Sequence, residues 1–283
     1  MGKSTRENRE GKEMIINFVG SFTTGYVGEQ ADQVHLAREM EVLGHTVRRI
    51  PQDAWREYVI EGFPKNKYDV PEDLKANINI ITKWHHFDDG SFISQLRIAS
   101  GAPVFYWVWD YMWDNGFPNW HIQNVLASDL YFGNDVRSKK YTSPEYPFYK
   151  DIEEKLYYFP FDVADGELPR YQISEKKYDV VFFGSWIPQG DRQEWLTEIN
   201  KTNPVKVFSW NHQDWPKEFD AEPAVYGEDF NRKVAESKIC LGFSVEPNCW
   251  GYWSNRTGKT LLAGGFLLQQ YAPGMELFLR DGI

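Results

Sequence analysis

Residues 239–270, ICLGFSVEPNCWGYWSNRTGKTLLAGGFLLQQ, decide how the chain is read. The apolar run 239–243 predicts a buried strand. A polar and aromatic loop follows, then a short helix over about 255–263. Paired glycines, Gly264 and Gly265, end that helix, and the apolar run 266–268 opens another strand. Strand, loop, helix, glycine, strand is the order of a βαβ unit in a parallel sheet. The helix start gathers Ser254, Asn255, Arg256 and Thr257, with Lys259 and Thr260 following. Unpaired backbone N–H groups and a partial positive charge at such a start suit an anion. Arginine strengthens that reading because its fork grips two phosphate oxygens. The same residues also fit an ordinary helix cap followed by an ordinary stop signal. A Walker loop is excluded, because the spacing before Gly258-Lys259-Thr260 requires a glycine where Trp253 stands.

Working outward, 283 residues are enough for a large core, and two domains are expected. A quarter of the residues are charged and 42% are hydrophobic, the balance of a soluble globular protein. The net charge of −10 argues against nucleic acid or an anionic membrane as the main partner, while leaving room for a local basic pocket. Two cysteines, Cys240 and Cys249, make no disulfide framework, and Cys240 in an apolar run reads as a buried thiol. No run reaches the length of a membrane span, and residues 1–12 read as a polar, disordered tail without a signal-peptide core. A cytoplasmic location is the expectation. Aromatic residues make up 17% of the chain, including 12 Trp, a hint of sugar stacking in a set that mostly packs cores.

The N-terminal half repeats the strand–helix alternation. Residues 14–19 predict a strand, followed by a glycine-rich loop, 20–28, without dinucleotide spacing. That loop reads either as a close approach to substrate or as a plain flexible loop. Ala31, Val34, Leu36, Ala37, Met40 and Leu43 mark the apolar face of a helix over 29–43, and 46–50 is the next strand. A strand over 77–84 runs into His85 and His86, and one over 103–109 runs into Asp110. Strand C-terminal ends face the ligand crevice of a parallel sheet, so His85 is a candidate base or ligand-binding residue, and Asp110 stands at another such end. A metal at the adjacent histidines is not expected, since neighbouring side chains in an extended chain point apart. Asp110 equally fits a cap or turn residue. Trp107, Trp109, Trp113 and Trp120 crowd the same neighbourhood and are candidates for lining a ligand pocket. A helix over 92–99, another over 122–127 and a strand over 130–132 complete this domain, which spans 13–163.

Residues 164–177, polar and carrying Gly166 and Pro169, read as the interdomain linker to a second domain over 178–283. Its first strand, 178–183, ends at Gly184-Ser185, and Arg192 opens the next helix. A strand over 205–209 and a helix over 228–237 lead back to the opening stretch.

The pattern Ser254-x-Arg256-x-x-Lys259, closed by Gly264-Gly265 before an apolar strand, resembles the donor end of GT-B glycosyltransferases, with the group-1, CgeB-like branch most similar. The resemblance implies an α/β protein of two Rossmann-like domains, the second reading as truncated relative to that family. It also implies sugar transfer from a nucleotide-diphosphate-sugar to an acceptor hydroxyl, with no cofactor and no metal. The acceptor class (glycan, lipid or small molecule) is left open. Donor-binding residues would be Gly184, Ser185, Arg192, Ser254, Asn255, Arg256, Lys259 and Thr260, with Asp110 or His85 as the base and the tryptophans around Asp110 lining an acceptor pocket. Two departures stand out. Lys259 occupies the place of a ribose-binding carboxylate, and Gly251, eight residues upstream, replaces a member of the paired-glutamate signature. A non-catalytic nucleotide- or sugar-binding protein on the same fold is the alternative that these departures favour. A DNA-base glycosyltransferase of the phage type is a further alternative, set against the acidic charge.

Overall fold

The computed structural model describes residues 12–22, 29–62, 66, 69–83, 87, 89–108, 119–133, 153–158, 171, 175–187 and 191–279. Apolar runs with both faces buried make parallel strands, and the helices between them cover the two faces. Strands β1 (Ile15–Gly20), β2 (Thr46–Pro51), β3 (Ile78–Thr82), β4 (Val104–Val108), β5 (Leu130–Gly133) and β6 (Leu156–Tyr158) form one parallel sheet in the order β2-β1-β3-β4-β5-β6. Helices α1 (Glu29–Val42), α2 (Gln52–Glu61), α3 (Ser91–Ser100) and α4 (Asn119–Ala127) connect them. Alternate strand residues separate the two faces. Val19, Ile81, Val104 and Tyr106 meet Trp55 of α2, Leu96 of α3 and Val125 of α4, whereas Ile16, Phe18 and Trp107 meet Ala37 of α1.

A second parallel sheet holds β7 (Tyr178–Phe183), β8 (Val205–Ser209), β9 (Asp220–Pro223), β10 (Ser237–Gly242) and β11 (Leu267–Gln269), in the order β11-β10-β7-β8-β9. Helices α5 (Arg192–Thr202), α6 (Gly227–Ala235) and α7 (Arg256–Leu262) flank it. Val180 and Phe182 pack toward Leu196 of α5, and Val181 and Phe183 toward Phe230 and Val234 of α6. The expected βαβ unit is present, with Cys240 opposite Leu267 in parallel register and α7 between the strands. Among the described residues no helix is long and apolar enough to cross a membrane.

Several expectations need adjustment. Leu43 lies past the end of α1 and is 67% exposed, while the polar Gln33 is buried on that helix. Helix α2 begins at Gln52, a segment without a marked sequence signal. Strand β10 starts at Ser237, which the predicted preceding helix had included. Most of the expected linker and residues 1–11 lie outside the described residues, as do Gly25, Gly28, His85, His86, Trp109, Asp110 and Trp113.

The two sheets touch through the last strand of the first. The Tyr158 hydroxyl donates to the Gly251 carbonyl at 2.9 Å, and its ring packs edge-on to Trp250 at 5.0 Å and against Phe278 at 6.2 Å. Gly251 has φ +73°, and a Cβ there would meet the Tyr158 ring at 2.6 Å, so backbone conformation and close approach both require glycine.

Candidate functional site

In open parallel sheets a crevice forms where neighbouring strands are continued in opposite directions, at their C-terminal ends. In the second sheet that place lies between β7 and β10. An open, shallow recess sits there, walled by Phe182, Phe183, Leu241, Gly242 and Phe243 from these strands and their ends. Arg192, Ser254, Arg256, Thr257, Thr260, Leu267 and Gln269 complete the wall. No Asp or Glu is among these described lining residues.

Each cationic side chain is placed by local structure. Arg192 opens α5 and folds back, 7% exposed, so that its Nη2 donates to the Ser185 carbonyl at 2.6 Å and its guanidinium lies 5.6 Å from the Phe182 ring centroid. Burial, and after it the nearby Arg256 charge, lowers the Arg192 pKa to about 10, which leaves the group charged at neutral pH. Arg256 opens α7, where its backbone N–H and its Nη1 both donate to the Ser254 hydroxyl, at 3.3 and 3.1 Å. Ser254 also receives the Thr257 N–H on its carbonyl at 3.0 Å, a turn bond just ahead of the N-cap residue Asn255, and it lines the recess. Thr257 and Thr260 are buried, and the Thr257 hydroxyl donates to Gln269 Oε1 at 2.9 Å.

Four of the residues singled out from sequence meet at the recess: Arg192, Ser254, Arg256 and Thr260. Asn255 and Lys259 belong to the same segment but lie outside its wall, as do Gly184 and Ser185. The geometry gives Gly184 a packing reason, since a Cβ there would press on the Phe182 ring at 2.7 Å. Trp107 and Trp120 pack on opposite faces of the first sheet, so they do not line one pocket. Thr257 stood among the helix-start residues but not among the donor-binding candidates, and Gln269 went unnoticed in the sequence. Their pairing joins a helix to the following strand, and no local spacing announces it. Helix α7 has only seven residues, so its dipole is small and the guanidinium groups carry most of the positive potential.

Two like charges held around one opening, with no Asp or Glu among its described lining residues, favour an anion there. Among the described residues no cluster of His, Cys, Asp or Glu is arranged to hold a metal.

No protein-family model matches the sequence, and no curated protein matches it. Solved structures do resemble the fold. The catalytic domain of starch synthase IV from Arabidopsis thaliana, bound to ADP and acarbose, aligns with a TM-score of 0.56 and 11% identity over 95% of this chain and 86% of its own. An alpha-glucosyltransferase in complex with UDP and a 13-mer DNA containing an HMU base aligns with a TM-score of 0.55 and 9% identity over 91% of this chain and 80% of its own. The same kind of enzyme with UDP and a DNA carrying a central A:G mismatch gives 0.57 at 9% identity, over 91% of this chain and 79% of its own. At such identities the likeness speaks for architecture: two parallel α/β sheets arranged as in the GT-B glycosyltransferases.

Proposed function

We propose that the chain transfers a sugar from a nucleoside-diphosphate-sugar to an acceptor hydroxyl, as a cytoplasmic member of the CgeB-like branch. The observation that carries this reading is the pair Arg192 and Arg256 at one recess on the β7/β10 crevice. Glycosyl transfer leaves negative charge on the departing diphosphate, and fixed positive groups lower the barrier by stabilising it. Two guanidinium groups would supply that stabilisation without a metal. Ser254, Thr257 and Thr260 would add neutral hydrogen bonds. The solved neighbours bound to UDP or ADP support a nucleotide donor. Asp110 or His85 would accept the acceptor proton if configuration inverts.

The acceptor is open to test. The alpha-glucosyltransferase neighbour was solved with DNA, while the net charge of −10 disfavours a phosphate-tracking surface here. A glycan, lipid or small molecule is the preferred class.

Lys259 in place of the ribose-binding carboxylate favours a second reading, a non-catalytic nucleotide-sugar binder. Thermal shift against UDP-, GDP-, ADP- and TDP-sugars tests binding, because a ligand held only by the folded state raises the Tm. Hydrolysis of the bound donor without acceptor marks the enzyme, and binding without hydrolysis or transfer marks the second reading. Arg256→Ala is expected to weaken nucleoside diphosphate binding about tenfold to a hundredfold, the loss of a charged hydrogen-bond partner, at unchanged Tm. Unchanged affinity in that variant removes the assignment.

A further inference from the structure

Beside the recess, the C-terminal rim of the second sheet carries an aromatic ring in an unusual state. Trp210 follows the last residue of β8 and is 70% exposed, more than Trp195 on the outer side of α5 at 55%. Exposed tryptophan leaves a large apolar surface in water, and an exposed side chain normally keeps its rotamer freedom. Trp210 is instead tethered, its indole N–H donating to the Ser185 hydroxyl at 2.5 Å. The carbonyl of that same Ser185 accepts from Arg192. Ser185, two residues past the end of β7, thus links the indole to Arg192 of the recess wall.

The residues flanking Trp210 are fixed as well. Asn211 accepts from the Trp186 N–H at 3.1 Å and from the Ser209 hydroxyl at 2.7 Å, and it donates to the Trp186 carbonyl at 3.0 Å. The turns that follow β7 and β8 are therefore stitched together around the ring. A π-face held rigid and open to water is already organised for a flat partner and loses little freedom when one stacks on it.

The geometry points to Trp210 as the platform on which the base of a nucleoside diphosphate stacks, with the diphosphate at Arg192 and Arg256. This assignment rests on the proposed donor site and adds a specificity element to it. A nucleoside diphosphate carries its anionic groups and its flat ring at opposite ends of one sugar, the same two chemistries that Ser185 connects here. Stacking uses the face common to all bases, so the platform serves purine and pyrimidine nucleotides alike.

Affinities of UDP, ADP and inorganic pyrophosphate, measured by calorimetry at fixed ionic strength on the full chain, test the assignment. Trp210→Ala is expected to weaken UDP and ADP about tenfold to a hundredfold and to leave pyrophosphate unchanged, with Trp210→Phe recovering most of the loss. Ser185→Ala, which keeps the ring but frees it, is expected to produce a smaller loss confined to the nucleotides. If Trp210→Ala yields no folded protein, the Phe and Ser185 variants decide the matter by the same criterion. Nucleotide affinity unchanged in the Trp210 variants, or pyrophosphate weakened in parallel with the nucleotides, overturns the platform. Wild-type protein that holds pyrophosphate as tightly as UDP also overturns it while leaving the anion site standing. Wild-type protein that binds none of the three overturns the proposed function and the platform with it.

Discussion

The two sheets answer the same topological situation with different chemistry. In the first, the crevice lies between β1 and β3, and among the described residues two amides and a threonine hydroxyl are packed together there. Gln33 Oε1 accepts from the Ser21 N–H at 2.5 Å and from the Thr82 hydroxyl at 3.3 Å, while Gln52 Nε2 donates to that hydroxyl at 2.7 Å. A Cβ on Gly20 would lie 2.3 Å from Gln33 Oε1, so the amide seats directly on bare backbone. The second crevice repeats this device, with Gln269 Oε1 at 2.0 Å from the position of a Gly242 Cβ. What differs is the company. Gln269 bonds to Thr257 beside two arginines, whereas Gln33 and Gln52 bond to a buried threonine. Strand order makes both crevices, and on the proposed function side-chain charge decides which of them draws an anion.

The largest test of this contrast is acid. His121 lies fully buried among the rings of the first sheet, with Tyr106 Oη 3.4 Å from its Nδ1, and burial, followed by the charge of Lys83, lowers its pKa to about 3. Unfolded histidine takes up its proton near pH 6.5, so protonation favours unfolding. The stability it contributes is complete above pH 6.5 and is lost as pH falls toward 3, on the order of 5 kcal/mol in total. Melting curves should show the Tm falling through this window, and His121→Phe should flatten the fall between pH 6.5 and 5. A wild-type Tm that stays level there breaks the picture of a neutral, buried His121 in the first sheet.

A smaller effect separates the two crevices directly. Gln33→Ala should lower stability by about 1 to 3 kcal/mol, because it strips a partner from buried Thr82, and should leave nucleotide affinity alone. Arg256→Ala should do the reverse. Equal loss of nucleotide binding in both variants would show that the neutral crevice takes part in donor binding. Smaller still, Tyr158→Phe removes one hydrogen bond to Gly251 while preserving the ring contacts, and should cost about 0.5 to 1.5 kcal/mol in denaturant unfolding.

Much of the architecture was legible because buried parallel strands are written as apolar runs. Residues 178–183 and 205–209 were read to the residue, and the β10–α7–β11 unit followed from its glycines. Strand β9 was not legible. Its sequence DAEP has no apolar run, and it holds the sheet edge through Lys206, whose Nζ reaches Asp220 at 2.8 Å and Glu222 at 2.6 Å. Nor was the buried face of α1 fully legible, since Gln33 serves a polar network and leaves the apolar periodicity incomplete. At the site, Arg192 and Arg256 stood out because each follows a strand end and opens a helix. Gln269 and Trp210 did not, because their roles depend on contacts with residues 12 and 25 positions away.

The tyrosine that closes the first sheet has a practical consequence for dissecting the chain. Tyr158 grips the carbonyl of Gly251, three residues ahead of Ser254 in the segment that delivers Arg256. A fragment cut to contain only the second sheet would keep every residue of the cationic wall yet lose the clamp on its approach loop. Isolated-fragment titrations would then report a slacker version of the pocket, and the intact polypeptide is the appropriate reagent for measuring it.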